Sequence, residues 1–353
     1  MTKRELHDGE SDGLTALEPL DLDRVKNFAD LLRAMEKTAF AGRALGEALD
    51  ILVAMTRDKE CLKVATLTGA MTIAKQGMVL EKMIRSGMID VVISTGALMA
   101  HGLTEGIGAK HYKHDPKWND EQLFDAGYNR VYDTLEMEKN LDDVEKIVAE
   151  TLRSLPEGEV LSSHRVCREL GRVLSESKMG GVLAAAYEKN VPVYIPAFTD
   201  SEMGLDTAVA ALGLHVGKGL PPDFPKKIGV VPNYNPFLDL NDYAERIIAA
   251  KRKGIFTIGG GVPRNWAQQV GPYLDLFERR LGLPIPPQRF SYGIRICPEP
   301  AHWGGLSGCT YTEGVSWGKF VPVSEGGRYA EVHADATIAW PLLVRAAMDV
   351  LGA

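Results

Sequence analysis

Gly254-Ile255-Phe256-Thr257-Ile258-Gly259-Gly260-Gly261 is a short apolar run that stops in three glycines. A run of this length, rich in β-branched and aromatic residues and bounded by glycine, reads as a buried strand. Three other stretches repeat the plan. Lys63-Val64-Ala65-Thr66-Leu67 ends in Thr68-Gly69-Ala70, Asp90-Val91-Val92-Ile93 ends in Ser94-Thr95-Gly96-Ala97, and Val191-Pro192-Val193-Tyr194-Ile195 leads to Pro196-Ala197-Phe198-Thr199-Asp200. After most of them helical periodicity resumes. Strands that are apolar throughout and alternate with helices specify an α/β fold, a doubly wound and mostly parallel sheet with helices on both faces. Ligands of such sheets bind beyond the carboxyl ends of the strands. Those ends here are Gly, Thr, Ser and Asp, which suit close backbone approach and hydroxyl contacts.

The rest of the chain is read around that sheet. Residues 1–19 are expected to be a flexible arm, and residues 20–353 one domain. From Leu20 to Met55 the spacing of Val25, Phe28, Leu31, Leu32 and Met35, then Leu45, Ala48, Leu49 and Leu52, predicts two helices, separated at Ala39-Phe40-Ala41-Gly42-Arg43. Further helices are expected over Gln76–Arg85, Leu141–Leu152, Val166–Tyr187 with a break at Met179-Gly180-Gly181, and Leu240–Lys251 with Asn241 or Asp239 as cap. Residues 101–130 are polar and read as an irregular excursion. Phe290–Ile296 and Ala330–Ala336 are strand-like, and the latter passes into an apolar helix, Trp340–Leu351.

Composition narrows the function. The 353 residues are 45% apolar and 25% charged, with a net charge of −7. An acidic balance argues against a nucleic-acid partner and is compatible with a cationic substrate. Cys61, Cys167, Cys297 and Cys309 form no Cys-x-x-Cys pair, so neither a zinc knuckle nor a thioredoxin-like site is suggested. Scattered thiols fit a reducing cytoplasm. The polar, acidic first residues resemble no signal peptide, and no apolar run approaches the ~20 residues of a membrane span.

Four motifs carry possible chemistry. In Gly259-Gly260-Gly261-Val262-Pro263-Arg264-Asn265-Trp266 a helix start follows a strand, which can hold a pyrophosphate. It is not the dinucleotide fingerprint, because Arg264 takes the third glycine's place, and a plain tight turn is the competing reading. Thr199-Asp200-Ser201-Glu202-Met203-Gly204-Leu205-Asp206 puts three carboxylates at a strand end, either a solvated acidic loop or a sink for a ribose or ammonium groups. His101, His111, His114 and His302 make no zinc signature. His111-x-x-His114-Asp115 lacks a third strong partner, so no metal is assigned. Lastly, Glu313-Gly314-Val315-Ser316-Trp317-Gly318-Lys319-Phe320 sets a lysine beside a glycine and an indole, downstream of a carboxylate. A lysine with pKa about 10.4 is almost wholly protonated at neutral pH. Desolvation against an indole would lower that value and make the amine nucleophilic. The ordinary alternative is a surface lysine after a strand.

The run Val315-Ser316-Trp317-Gly318-Lys319 resembles the active-site signature of the deoxyhypusine synthase family, and the likeness extends from Phe40-Ala41-Gly42-Arg43 to the last helix. The resemblance implies a Rossmann-like domain, NAD as cofactor and a homotetramer with sites at subunit interfaces. It implies that Lys319 carries an aminoalkyl group as an imine. It places Glu313 and Trp317 in the substrate site. It places Thr68, Gly69, Thr95, Gly96, Asp200, Gly260, Gly261, Ser307, Gly308, Asp335 and Ala336 around the cofactor.

Several positions depart from the family pattern. Asn265 and Trp266 stand where a histidine contacts the polyamine. Leu306 and Trp303 stand where acids precede Ser307-Gly308. Ala100 or a neighbour replaces an acid after the second cofactor loop, and Leu205 stands after Gly204 with Asp206 one place on. A buried unpaired cation is costly, so lost acids imply a changed donor, a changed acceptor or a pocket rearranged around Glu202, Asp206 and Glu313. The favoured expectation is transfer between small polyamines or guanidino amines, as in homospermidine-type enzymes. The alternatives are modification of a lysine on a translation initiation factor 5A-type protein using spermidine, and, in another class, a non-catalytic NAD-binding module or simple amine dehydrogenase.

Overall fold

The structure, a computed structural model, describes residues 4–156, 158–216 and 232–352. Residues 1–3 of the expected arm lie outside them. The strands are β1 (Cys61–Leu67), β2 (Val91–Ser94), β3 (Tyr112–Lys113), β4 (Tyr128–Val131), β5 (Thr134–Met137), β6 (Val193–Tyr194), β7 (Arg252–Ile258), β8 (Tyr292–Ile296) and β9 (Arg328–Val332). Six of them form one sheet in the order β6-β2-β1-β7-β8-β9. Every neighbouring pair is parallel. In chain order this is third, second, first, fourth, fifth, sixth, the order of dinucleotide-binding sheets. The winding reverses between β1 and β7, the point at which sheets of this kind open a crevice.

Successive side chains of a strand point to opposite faces, and here both faces are apolar. Ala65, Leu67, Val92, Phe256 and Ile258 enter one core, whereas Val64, Val91, Ile93 and Ile255 enter the other. Burying each Val, Leu, Ile or Phe among them contributes about 1.5–3 kcal/mol. Helices including Phe40–Arg57, Gly77–Arg85, Gly96–Gly106, Glu138–Arg153 and Ala336–Leu351 close the first core. Helices Phe237–Ala249 and Gly261–Leu281 and the short helix Tyr311–Ser316 close the second.

Several local expectations are corrected. The first two helices are Phe28–Glu36 and Phe40–Arg57, so Phe40-Ala41-Gly42-Arg43 opens the second helix instead of separating the two. The helix expected over Leu240–Lys251 begins at Phe237, after Pro236. Asp239 does not cap it. Its buried carboxylate accepts from Ser163 N at 3.0 Å, Ser163 Oγ at 2.6 Å and His164 N at 3.1 Å, and so serves the start of helix Ser163–Glu176. The excursion at 101–130 is ordered. His101 lies within helix Gly96–Gly106, and the remainder contributes to an antiparallel sheet, β3-β5-β4, with helix Asp120–Asp125. Thr199–Asp206 is not a loop throughout, because helix Glu202–Val216 begins inside it. Among the described residues no helix is long and apolar enough to cross a membrane.

Candidate active site

The reversal point is built from glycine and threonine. Thr68 N donates to the Ile258 carbonyl at 3.1 Å, and Thr68 Oγ1 accepts from Gly260 N at 3.0 Å. Gly259 has φ +74°, and a Cβ there would lie 2.1 Å from Thr68 Oγ1. A Cβ on Gly260 would lie 2.4 Å from the Ser307 Cα. Three segments therefore converge only because these residues have no side chain. Gly261 opens helix Gly261–Leu281, whose N-terminus has no side-chain cap. Free amides at the positive end of a helix can hold an anion. A phosphate group fits that position, beside Gly69, which is exposed at φ +79° with no backbone near its missing Cβ.

The other residues matched to the cofactor flank the strand ends. Thr95 caps helix Gly96–Gly106 by accepting from Leu98 N at 3.3 Å. Gly96 abuts Ser201, whose Oγ would lie 2.1 Å from an added Cβ, so the second loop meets the Thr199–Asp206 segment. Asp200 is exposed there. Asp335 caps helix Ala336–Leu351, accepting from Thr337 N and Thr337 Oγ1, each at 2.6 Å. Those two donors hold its carboxyl below the usual range.

Lys319 follows the short helix Tyr311–Ser316, which Thr310 caps by accepting from Glu313 N at 3.1 Å. Its backbone is held on both sides: Lys319 N donates to Gly314 O at 3.0 Å, and Lys319 O accepts from Phe290 N at 2.9 Å. Gly318, at φ +70°, turns the chain between them. The half-buried ammonium donates to Asn265 Oδ1 at 3.2 Å and lies 5.8 Å from the Trp317 ring centroid. Burial pushes its pKa below the ordinary value, and Arg264 pushes it further, while Cys309 and Glu313 act the other way. A neutral amide opposite the amine supplies no counter-charge to reverse that shift.

These groups line one cleft of about 200 Å³, walled by Asn265, Glu313, Trp317 and Lys319 together with Arg264, Gln268, Leu306 and Cys309. Arg264 is buried and donates to the Cys309 carbonyl at 2.8 Å. Arg295 Nη1 donates to the same carbonyl at 2.8 Å and to Ser307 O at 2.6 Å, and its Nη2 pairs with Glu331 at 2.7 Å. Two arginines thus fix the wall that leads to the lysine. The Cys309 thiol donates to Glu313 Oε1 at 2.9 Å, orienting that carboxylate. Sequence reasoning missed Arg264, Gln268 and Cys309 as cleft residues. The position of Arg264 beside Asn265 was the one available signal.

Asp206 does not line this cleft. It lies on helix Glu202–Val216, where burial and then the nearby Glu145 and Glu202 raise its carboxyl to about 6.

Comparison with known proteins bears on this geometry. The family model for deoxyhypusine synthase matches residues 30–347. A protein of Methanosarcina acetivorans named probable deoxyhypusine synthase 2 is 32% identical over 333 residues, covering 93% of this chain and 88% of its own length. A deoxyhypusine synthase-like protein of Chlorobaculum tepidum is 31% identical over 320 residues, covering 90% of this chain and 85% of its own. A crystal structure provisionally described as deoxyhypusine synthase from Entamoeba histolytica superposes with a TM-score of 0.59 at 13% identity, over 95% of this chain and 97% of that one, a likeness of fold. With a family model spanning nearly the whole chain and relatives above 30% identity over most of their length, this chain belongs to the deoxyhypusine synthase family.

Proposed function

We propose that this chain is an NAD-dependent aminoalkyl transferase acting on a small polyamine or guanidino amine, with residues 20–353 as its catalytic unit. The observation that carries the reading is Lys319, half-buried, depressed in basicity and hydrogen-bonded to a neutral amide in a cleft with one indole wall. The Thr68–Gly69 and Gly259–Gly261 loops would hold NAD, which would supply hydride acceptance from the carbon next to a donor nitrogen and hydride return to the same carbon of the final imine. Neutral Lys319 would attack the resulting imine carbon and release the rest of the donor as an amine. An acceptor amine would then displace Lys319. Asn265 would hold the Lys319 nitrogen in line. Glu313, exposed at the cleft and positioned by Cys309, would take an ammonium or guanidinium group. Trp317 would shield the imine from water and offer a cation–π face of about 0.5–2 kcal/mol.

Trp317 is 64% exposed and Leu306 45% exposed. An indole that open cannot exclude water alone, which supports closure of the cleft by a neighbouring subunit that adds the acids this one lacks, as the homotetramer implied by the family resemblance would allow. The same openness favours a second reading, in which the acceptor is a lysine of a protein, as the names of the relatives suggest. The four free cysteines are consistent with work in the cytoplasm.

The test is chemical trapping. Full-length protein is incubated with NAD and, separately, spermidine, putrescine or agmatine, then reduced with borohydride and digested. The expected result is a mass increase on the Lys319 peptide with at least one amine, lost in Lys319→Ala. Trapping with spermidine and no turnover until a protein acceptor is added would support the second reading. No adduct with any of the three, with NAD still bound, would leave a cofactor-binding module or a simple dehydrogenase.

A further inference from the structure

Away from the cleft, three side chains converge whose chemistry the transfer reaction does not use. His101 lies in helix Gly96–Gly106, His111 just before β3, and Glu136 within β5. The two imidazole nitrogens and the carboxylate lie within 4.8 Å of one another. Glu136 and the His111 side chain are each 1% exposed, and His101 12%. His111, which the sequence pairs with His114, instead meets His101 and Glu136 here, because the small antiparallel sheet carries Glu136 back to the helix.

We propose that His101 Nδ1, His111 Nε2 and Glu136 bind one divalent transition-metal ion of the zinc class, pinning the three-stranded sheet to the helix behind the Thr95–Gly96 loop. His101 Nδ1 is 2.5 Å and His111 Nε2 3.3 Å from the Glu136 oxygens. Both nitrogens are buried and face Glu136 at ion-pair distance without hydrogen-bond alignment. Native interiors pair such atoms. An ion set between them would replace this misaligned pairing with a directed bond to each. Two imidazoles and a carboxylate are a set zinc takes while keeping a fourth position for water, and the nitrogen ligands disfavour magnesium and calcium. The outer contacts also fit. Thr104 Oγ1 donates to Glu136 Oε1 at 2.7 Å, fixing the carboxylate. Asn140 Nδ2 holds the Lys110 carbonyl at 3.0 Å, next to His111.

Two contacts compete, the His101–Glu136 ion pair and one made by a lysine. Lys75 Nζ lies 2.7 Å from His111 Nδ1 and also pairs with Glu105 at 2.9 Å. An ion on Nε2 requires the His111 proton on Nδ1, so the half-exposed lysine must turn towards Glu105. Loading also opens the His101–Glu136 contact to about 3.3 Å, the edge of a tetrahedron with bonds of about 2.0–2.1 Å.

The experiment strips the full-length protein with a chelator, then titrates zinc against a chromophoric competitor, with cobalt as a spectroscopic probe. The proposal expects one equivalent per chain, about 100-fold weaker binding in His111→Ala and Glu136→Gln, and tighter binding in Lys75→Ala. It expects no change in His114→Ala, whose ring faces the Trp118 carbonyl at 3.0 Å. Should a ligand variant fail to fold, the unaltered protein decides by whether zinc raises its melting temperature in a saturable way. No stoichiometric binding, no melting shift, or binding that survives both His111→Ala and Glu136→Gln would overturn it.

Discussion

Lys319 faces an amide where a carboxylate would have held it protonated. The consequence is measurable as a pH profile. Imine formation needs the neutral amine, and its fraction rises with pH through a pKa that burial and Arg264 set below 10.5. Asn265→Asp places a negative charge about 3.2 Å from the ammonium. An opposite charge at that range raises a lysine pKa by about 1–3 units. The rising limb of adduct formation, followed by borohydride trapping across pH, is therefore expected to move up by at least one unit in Asn265→Asp, whereas Asn265→Ala moves it little. A profile that stays in place in Asn265→Asp would mean that Lys319 is not the titrating group. At this scale much was legible. Glu313, Trp317 and Lys319 are neighbours in sequence, so a contiguous motif exposes them. Cys309 and Arg264 act through a carboxylate and a backbone carbonyl that only the fold brings near, and no spacing announces that.

Between elements, helix Glu202–Val216 packs on helix Glu138–Arg153, and Asp206 feels the like charges of Glu145 and Glu202. Burial comes first and the two like charges follow, raising the Asp206 carboxyl from 3.8 to about 6. In the window between those values the folded state holds a proton that the unfolded state has lost. Stability therefore falls as pH rises across it, and the full penalty applies above about 6. Asp206→Asn is expected to raise the melting temperature at pH 7.5 and to leave it nearly unchanged below pH 4. Equal stabilisation at both pH values would assign the gain to packing instead. A polyamine bound near these acids would relieve the same penalty, so a melting shift with spermidine that vanishes in Asp206→Asn would tie this residue to substrate. The helices and strands themselves were readable where apolar periodicity was strong, as at β1, β7 and Glu138–Arg153. They were not readable where polarity hid order. The β3-β5-β4 sheet is largely exposed along β3 and β4, so it shows no hydrophobic period. Asp239 looks like a cap from its position, yet its partners come from a helix far earlier in the chain.

Over the whole molecule, alternating strands and helices announced a parallel sheet but not its strand order, because order depends on which way each crossover packs. The observed order puts the reversal between β1 and β7. That is why Thr68, the three glycines and Ser307, far apart in sequence, form one surface. Gly260 tests this convergence. A Cβ there meets the Ser307 Cα at 2.4 Å, a backbone atom that cannot rotate away. Gly260→Ala must therefore separate the β7 loop from the segment that Arg295 holds in place. Overpacking of this kind costs about 1–3 kcal/mol, so a lower melting temperature is expected. NAD affinity, followed by quenching of tryptophan fluorescence or by calorimetry, is expected to fall at least tenfold. Gly261→Ala is the control for packing alone, read by melting temperature: its Cβ would come no nearer than 3.8 Å, to a threonine methyl, leaving only the strain of φ +60°. Lys319→Ala, which leaves the reversal point untouched, should bind NAD as the unaltered chain does. If Gly260→Ala retained full NAD affinity while Lys319→Ala lost it, the nucleotide would have to sit in the lysine cleft and not across the β1/β7 crevice.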